Sequence, residues 1–210
     1  MKVSASGASR VYGGVTGEQR IAERRRKLIE AGLNLFGSGD SSNVRVKDVV
    51  VEAGLTERYF YESFSDLGSL FDAVLEATMD VIERDVEAAI LKAPDDGLSR
   101  VSAGLRTSVE VLAADPRMIR IVFVEALGKG GRASSRRHEI LVRAAQNFFR
   151  WSEAGIGDFG SGPVESRMKA FAMSGAASEL LISWAEGLLD VSPEELADFL
   201  VGLYWRTNLP

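Results

Sequence analysis

Arg58, Tyr59 and Tyr61 fall within four positions, interrupted by Phe60 and followed by Phe64. Arginine carries a planar fork of donors, and tyrosine a hydroxyl on an apolar ring. The fork matches the paired acceptors of guanine in the DNA major groove. A tyrosine hydroxyl bonds phosphate, and its ring packs on a thymine methyl. Arg45 and Lys47 lie just upstream, near the start of a short helix whose backbone donors and dipole also attract phosphate. Thr56 stands where it can cap the next helix. The competing reading is that one tyrosine simply packs within its own unit.

Catalytic chemistry finds far less support. His138 is the single histidine and sits in the polar run Ser134-Ser135-Arg136-Arg137-His138-Glu139, which reads as surface. With no cysteine, soft-ligand metal spacing is missing, and no nucleophile is paired with a base. Gly128-Lys129-Gly130-Gly131 lacks the spacing and preceding strand of a phosphate cradle. The expectation is a protein without catalytic residues, metal or cofactor. A small helical enzyme working through carboxylates alone is the weakest alternative.

The contact residues must be positioned by their neighbours. Val46, Val49, Val50 and Ala53 recur at helical spacing, and Gly54 then permits the left-handed turn that ends a helix. Leu55 packs into the corner, and Phe60 and Phe64 share one face of the following helix. Two short helices with a donor-rich outer face fit the width of a major groove.

The stretch from about Gln19 to Leu75 resembles the DNA-reading unit of the TetR (tetracycline-repressor) family. The resemblance rests on Ala31-Gly32-Leu33-Asn34-Leu35-Phe36, on Val49 to Gly54, on Tyr61-Glu62-Ser63-Phe64 and on Leu70-Phe71. Tyr-x-x-Phe after Ala-Gly-Leu-Thr is its most specific part. Arg45 stands where the family usually has a capping Thr, Val50 where it has Ala, and Leu67 where it has Lys. The resemblance implies that Tyr61 touches phosphate and that Thr56 both caps and touches phosphate. It also implies a cavity in the body, and an effector whose binding changes the spacing of two DNA heads.

The chain is 210 residues long, enough for a small head joined to a larger body. The absence of cysteine fits a reducing cytoplasm. No apolar run approaches membrane-spanning length, and the N-terminus lacks a signal-peptide core. Net charge is −5, an unexpected sign for a DNA binder. Residues 1–70 hold 10 Lys and Arg against 9 Asp and Glu, and the rest hold 15 against 21. Any affinity for DNA therefore rests on local placement.

All segments read as helices, predicting an all-α fold of about nine. Residues 1–17 read as a tail, either disordered or a basic arm reaching a minor groove. Residues 18–66 form the helix-turn-helix head and 67–210 the ligand and dimer body. Thr16 and Gln19 form a capping box for a first helix with Ile21, Arg25, Leu28, Ile29, Gly32, Leu35 and Phe36 on one side. Asp66 or Ser65 caps a long helix from about Leu67 to Lys92. Asp115-Pro116 restarts a helix that is apolar nearly all round, and Ser192-Pro193-Glu194-Glu195 opens the last.

In the body, Met118, Phe123, Phe148, Trp151, Met173 and Trp184 are candidates to line an apolar cavity, although such residues are more often plain core. The last two helices carry more apolar surface than one subunit can hide. Gly175, Leu180, Phe199, Leu200 and Leu203 are the candidate dimer contacts, and the resemblance implies a four-helix interface between symmetry mates. A two-fold dimer spaces its reading helices roughly 34–36 Å apart and requires a near-palindromic DNA site. The expected function is a DNA-binding transcription regulator, a repressor released by a small apolar or amphipathic effector. The alternative from a different class is a helical module that binds protein.

Overall fold

The computed structural model describes residues 16–39, 43–125, 136, 139–140, 142–144, 146 and 163–208. Among them there are helices and turns but no strand. The order is α1 (Gly17–Gly37), α2 (Val46–Glu52), α3 (Glu57–Ser63), α4 (Leu67–Lys92), α5 (Gly97–Ala114) and α6 (Pro116–Ile119). Beyond α6 the chain continues as a π-helical turn, Arg120–Val124, then as helical positions within 136–146, here α7. The last two are α8 (Pro163–Ala185) and α9 (Pro193–Asn208). The all-α expectation holds.

The start signals behave as their chemistry requires. Gln19 N–H donates to Thr16 Oγ1 at 3.1 Å, and Thr16 N–H donates to Gln19 Oε1 at 2.7 Å. Asp66, not Ser65, caps α4, accepting from Ser69 N–H at 2.7 Å. Ser192 and Glu195 make the reciprocal pair that opens α9. Each satisfies helix-end donors that otherwise lack partners. Gly17, read as the end of the tail, is the first residue of α1, because Thr16 is the cap. The remainder of the tail, His138, and the loops predicted at 128–131 and 155–162 lie outside the described residues.

One core joins α1 to α4. Leu28, Ala31, Phe36, Val49, Val50, Phe60, Phe64, Leu70, Phe71 and Val74 are buried together, with Ile121, Val122 and Ile140 closing the cluster from the body side. Ile21 departs from the predicted buried stripe, being 52% exposed. The N-terminal half of α1 contributes no buried residue; it lies along α3 through arginine side chains instead. The body has two further clusters, Val101, Leu105, Ala170, Met173 and Tyr204, and Val109, Leu112, Ile119, Leu181, Leu196 and Leu200. Burial pushes the Tyr204 hydroxyl up to about 12.

Polar contacts among the described residues brace α4 against α7 and the end of α1 against α6. Along α4, Glu76, Asp80 and Glu83 converge on Arg143 of α7 at 2.9, 3.3 and 2.5 Å, and Asp72 meets Arg136 at 2.6 Å. At the other contact α6 lies against the end of α1. Asp115 caps α6, accepting from the Arg117 backbone N–H at 3.1 Å, and Pro116 occupies the first turn. The Arg117 guanidinium bonds Asp115 and also donates to the Asn34 side-chain oxygen on α1. Asn34 in turn donates to Glu52 Oε1 on α2 at 2.8 Å. Close approach here requires Gly37: a Cβ at that position would lie 2.6 Å from Arg117 Cβ. The predicted apolar restart is buried as expected at Ile119, Ile121 and Val122. Its passage into a π-helical turn has no sequence signal that periodicity reads.

Gly37→Ala is therefore expected to overpack the α1–α6 contact and cost about 1–3 kcal/mol, measured as a lower denaturant midpoint. The hydrogen bond from Arg117, with its charge, holds the Asp115 carboxyl below the usual range. A lowered folded-state value stabilises the fold above the ordinary carboxylate pKa, and that contribution is lost as pH falls through the lowered value. Asp115→Asn keeps a capping acceptor but removes the ionisation. Stability measured across acid pH should decline less steeply in that variant than in the wild type below about pH 4.

Candidate nucleic-acid interface

The turn between α2 and α3 is closed by the backbone. Gly54 has φ +63°. Leu55 N–H donates to Val50 O at 2.8 Å, and Gly54 N–H donates to Val51 O at 3.1 Å. These two bonds form a Schellman ending that reverses the chain. Phe60, at 0% exposure, and Phe64, at 5%, anchor α3 in the head core. Their rings are 5.9 Å apart, and Tyr61 stands edge-on to Phe60 at 5.3 Å.

This anchoring leaves the opposite face of α3 outside. The Arg58 side chain is 84% exposed, and Tyr61 is 59% exposed. Thr56, Arg45 and Lys47 are exposed as well, so the two short helices gather five of the six predicted contact residues on accessible surface. Tyr59 is the exception. It is half-buried, and the Arg24 guanidinium covers its ring at 4.3 Å. Arg25 likewise covers Phe64 at 4.4 Å.

Thr56 also differs from expectation in one respect. It occupies the cap position of α3, and its carbonyl accepts from Tyr59 and Phe60, but its hydroxyl makes no capping bond. At the start of α2, Arg45 takes the cap position with no side-chain acceptor to offer. Asp48 compensates, accepting from the Arg45 backbone N–H at 2.9 Å. The side chains of Arg45 and Lys47 make no ion pair with any described residue.

Glu62, expected on the outward face of α3, and Arg24, expected on the polar side of α1 as a solvated or phosphate-contacting residue, complete the face by pairing with each other. Glu62 Oε1 accepts from Arg58 Nε at 3.1 Å, and Glu62 Oε2 lies 3.6 Å from Arg24 Nη2 on α1. The first pair was legible as an i, i+4 spacing on one helix. The second depends on how α1 crosses α3.

The body sites are less united. Met118, Phe123 and Trp184 pack against the cluster of Ile119, Leu181 and Leu196, whereas Met173 is buried in the other cluster beside Tyr204. Trp184 spends its ring N–H on Val191 O at 2.9 Å. Phe148 and Trp151 lie outside the described residues. A cleft of about 160 Å³ lies elsewhere, where Gly37, Arg117 and Arg120 meet Ile182 and Glu186. Among the predicted dimer contacts Gly175 and Phe199 are exposed, while Leu180 and Leu203 are half-buried against their own subunit. Leu200 is 1% exposed in the subunit's own core and cannot face a symmetry mate. Met168 and Phe171, 64% and 37% exposed, stand with Gly175 at helical spacing along α8.

No family model matches the chain. Its fold is shared with a putative TetR-family transcriptional regulator from Syntrophomonas wolfei at TM-score 0.74 and 21% identity, covering 87% of this chain and 93% of that one. The TetR-family fold is the fold of this chain. The same arrangement recurs in the fatty acid degradation regulator FadR of Bacillus halodurans, at TM-score 0.71, 13% identity and coverage of 86% and 94%. It recurs again in FadR of Bacillus subtilis in complex with stearoyl-CoA, at TM-score 0.69, 15% identity and coverage of 87% and 98%. An uncharacterized HTH-type transcriptional regulator of Mycobacterium tuberculosis is 24% identical over 189 residues, 89% of this chain and 78% of the relative. No described helix is long and apolar enough to cross a membrane.

Arg58, with its guanidinium on the exposed side of α3, carries the sequence-based expectation of a base contact. Arg58→Ala is expected to weaken binding to a preferred duplex by about 1–3 kcal/mol and to relax the preference at one base pair. Because the side chain is so exposed, its thermal midpoint should stay that of the wild type. Selection from randomised duplexes with both proteins checks this.

Proposed function

We propose that the chain is a sequence-specific DNA-binding transcription regulator, acting as a homodimeric repressor in the cytoplasm and released by a small apolar or amphipathic effector. The observation that carries the reading is α3 itself: Phe60 and Phe64 are buried beneath it, and Arg58 and Tyr61 stand outside. Arg45, Lys47, Thr56 and Tyr61 would hold phosphates and set the register, while Arg58 reads sequence. Exposed arginine, lysine and tyrosine donors gathered on one face suit a polyanionic backbone.

The dimer reading is supported by apolar side chains of α8 and α9 that no described residue covers. Met168, Phe171 and Phe199 are exposed there, and Gly175 has no atom within 4 Å of a Cβ built on it, leaving room for a second helix. Two heads related by a two-fold axis would bind a near-palindromic site. For the effector, the likeness to a regulator holding stearoyl-CoA supports a ligand with an acyl chain. Among the described residues the buried Ser174 hydroxyl and Trp205 ring N–H have no hydrogen-bond partner, which suits a body that accepts a polar group. Effector binding would favour a conformer whose heads no longer match the operator.

Footprinting on the DNA upstream of the chain's own gene should give a protected near-palindrome whose occupancy falls steeply with salt. Salt-insensitive binding, or none, would leave the protein-binding alternative. On gel filtration the wild type should elute at twice the monomer mass, and Phe171→Glu combined with Phe199→Glu should elute at the monomer mass. An intact dimer in that double variant would move the interface to another face.

A further inference from the structure

We infer that Glu62 is a specificity-determining positioning residue, holding Arg58 for a base edge and keeping it from phosphates. This rests on the DNA-reading role proposed above. Glu62 stands between two guanidiniums, 3.1 Å from Arg58 Nε and 3.6 Å from Arg24 Nη2. Its own position is fixed from behind. Arg24 is only 22% exposed, stacked on Tyr59 at 4.3 Å, and Glu62 is 39% exposed at the seam between α1 and α3. Arg58 alone projects, at 84% exposure.

The atom used matters. Bonding through Nε leaves Nη1 and Nη2, a fork that fits guanine O6 and N7, without a hydrogen bond to Glu62. An ion pair this exposed contributes little to folding, so stability does not explain it. Its weight appears when DNA excludes water from the face. A carboxylate then lies close to the backbone, and charge interactions strengthen as the local dielectric falls. On random DNA, where Arg58 finds no matching acceptors, the bond to Glu62 keeps its guanidinium from turning to a phosphate. On the correct site the held fork meets guanine, so the same restraint costs little there. The device penalises wrong sequences more than it rewards the right one.

The test uses the full-length chain, a duplex selected by the wild type from a randomised pool, and a shuffled duplex of the same composition. Glu62→Gln keeps the size and an acceptor oxygen but removes the charge. It is expected to bind the shuffled duplex several-fold more tightly and to lower the selected-to-shuffled affinity ratio about tenfold. The slope of log affinity against log salt on the shuffled duplex should steepen by about 0.9, one added phosphate contact. In an Arg58→Ala background the same change should leave the ratio nearly untouched. Glu62→Asp, which shortens the carboxylate but keeps its charge, should retain weaker binding to the shuffled duplex. An unchanged ratio in Glu62→Gln with a wild-type thermal midpoint would overturn the inference, as would the full effect persisting without Arg58. If the wild type itself selects no sequence from the pool, the DNA-reading role fails, a result distinguishable from failure of Glu62 alone.

Discussion

The burial of Phe60 and Phe64 is the constraint on which the rest of the interface depends. A seven-residue helix has no standing in water on its own, since nucleation costs more than so few bonds return. α3 exists because two aromatic rings hold it in a core shared with α1, α2 and α4. That one-sided anchoring decides orientation. With positions 60 and 64 facing in, positions 58 and 61 face out, and Tyr59 falls on the boundary, where Arg24 covers it. A polar residue at position 60 would remove the anchor and the aim together.

Charge operates locally in this molecule. A chain of net −5 gains no general attraction to a polyanion, and the head is barely positive. What the head offers is arrangement: Arg45 and Lys47 with no ion pair to a described residue, Arg24 and Arg25 lying flat on aromatic rings, and Glu62 between two arginines. An arginine paired with a carboxylate, as Arg58 and Arg24 are with Glu62, contributes less long-range field than its charge alone suggests. A weak general field combined with a few directed donors favours discrimination over bulk affinity.

The head is not a bead on a string. Ile121, Val122 and Ile140 complete the core that α1 to α4 begin, so the boundary placed at residue 66 does not divide separate cores. Asn34 receives a hydrogen bond from Arg117 of α6 and gives one to Glu52 of α2, linking the body to the reading unit through a single amide. The carboxylates of α4 are clamped by Arg143. A displacement of α6 or α7 would therefore reach the reading unit through packed contacts rather than through a flexible link.

The amino-acid sequence by itself determined where several helices begin and which aromatics anchor α3. Thr16, Asp66, Asp115 and Ser192 cap where expected because capping is a matter of three or four neighbouring residues. Phe60 and Phe64 were legible for the same reason, as a pair at helical spacing. Tertiary structure decided what local pattern does not contain. Leu200 and Phe199 are adjacent leucine and phenylalanine on one helix, yet one is buried and the other half-exposed, because only the neighbouring helices select which side is covered. Arg24 meets Glu62 across 38 positions, and Asn34 meets Arg117 across 83, through the crossing of helices that no window of sequence spans. Periodicity reports the side of a helix that is apolar, and packing alone reports what lies against it.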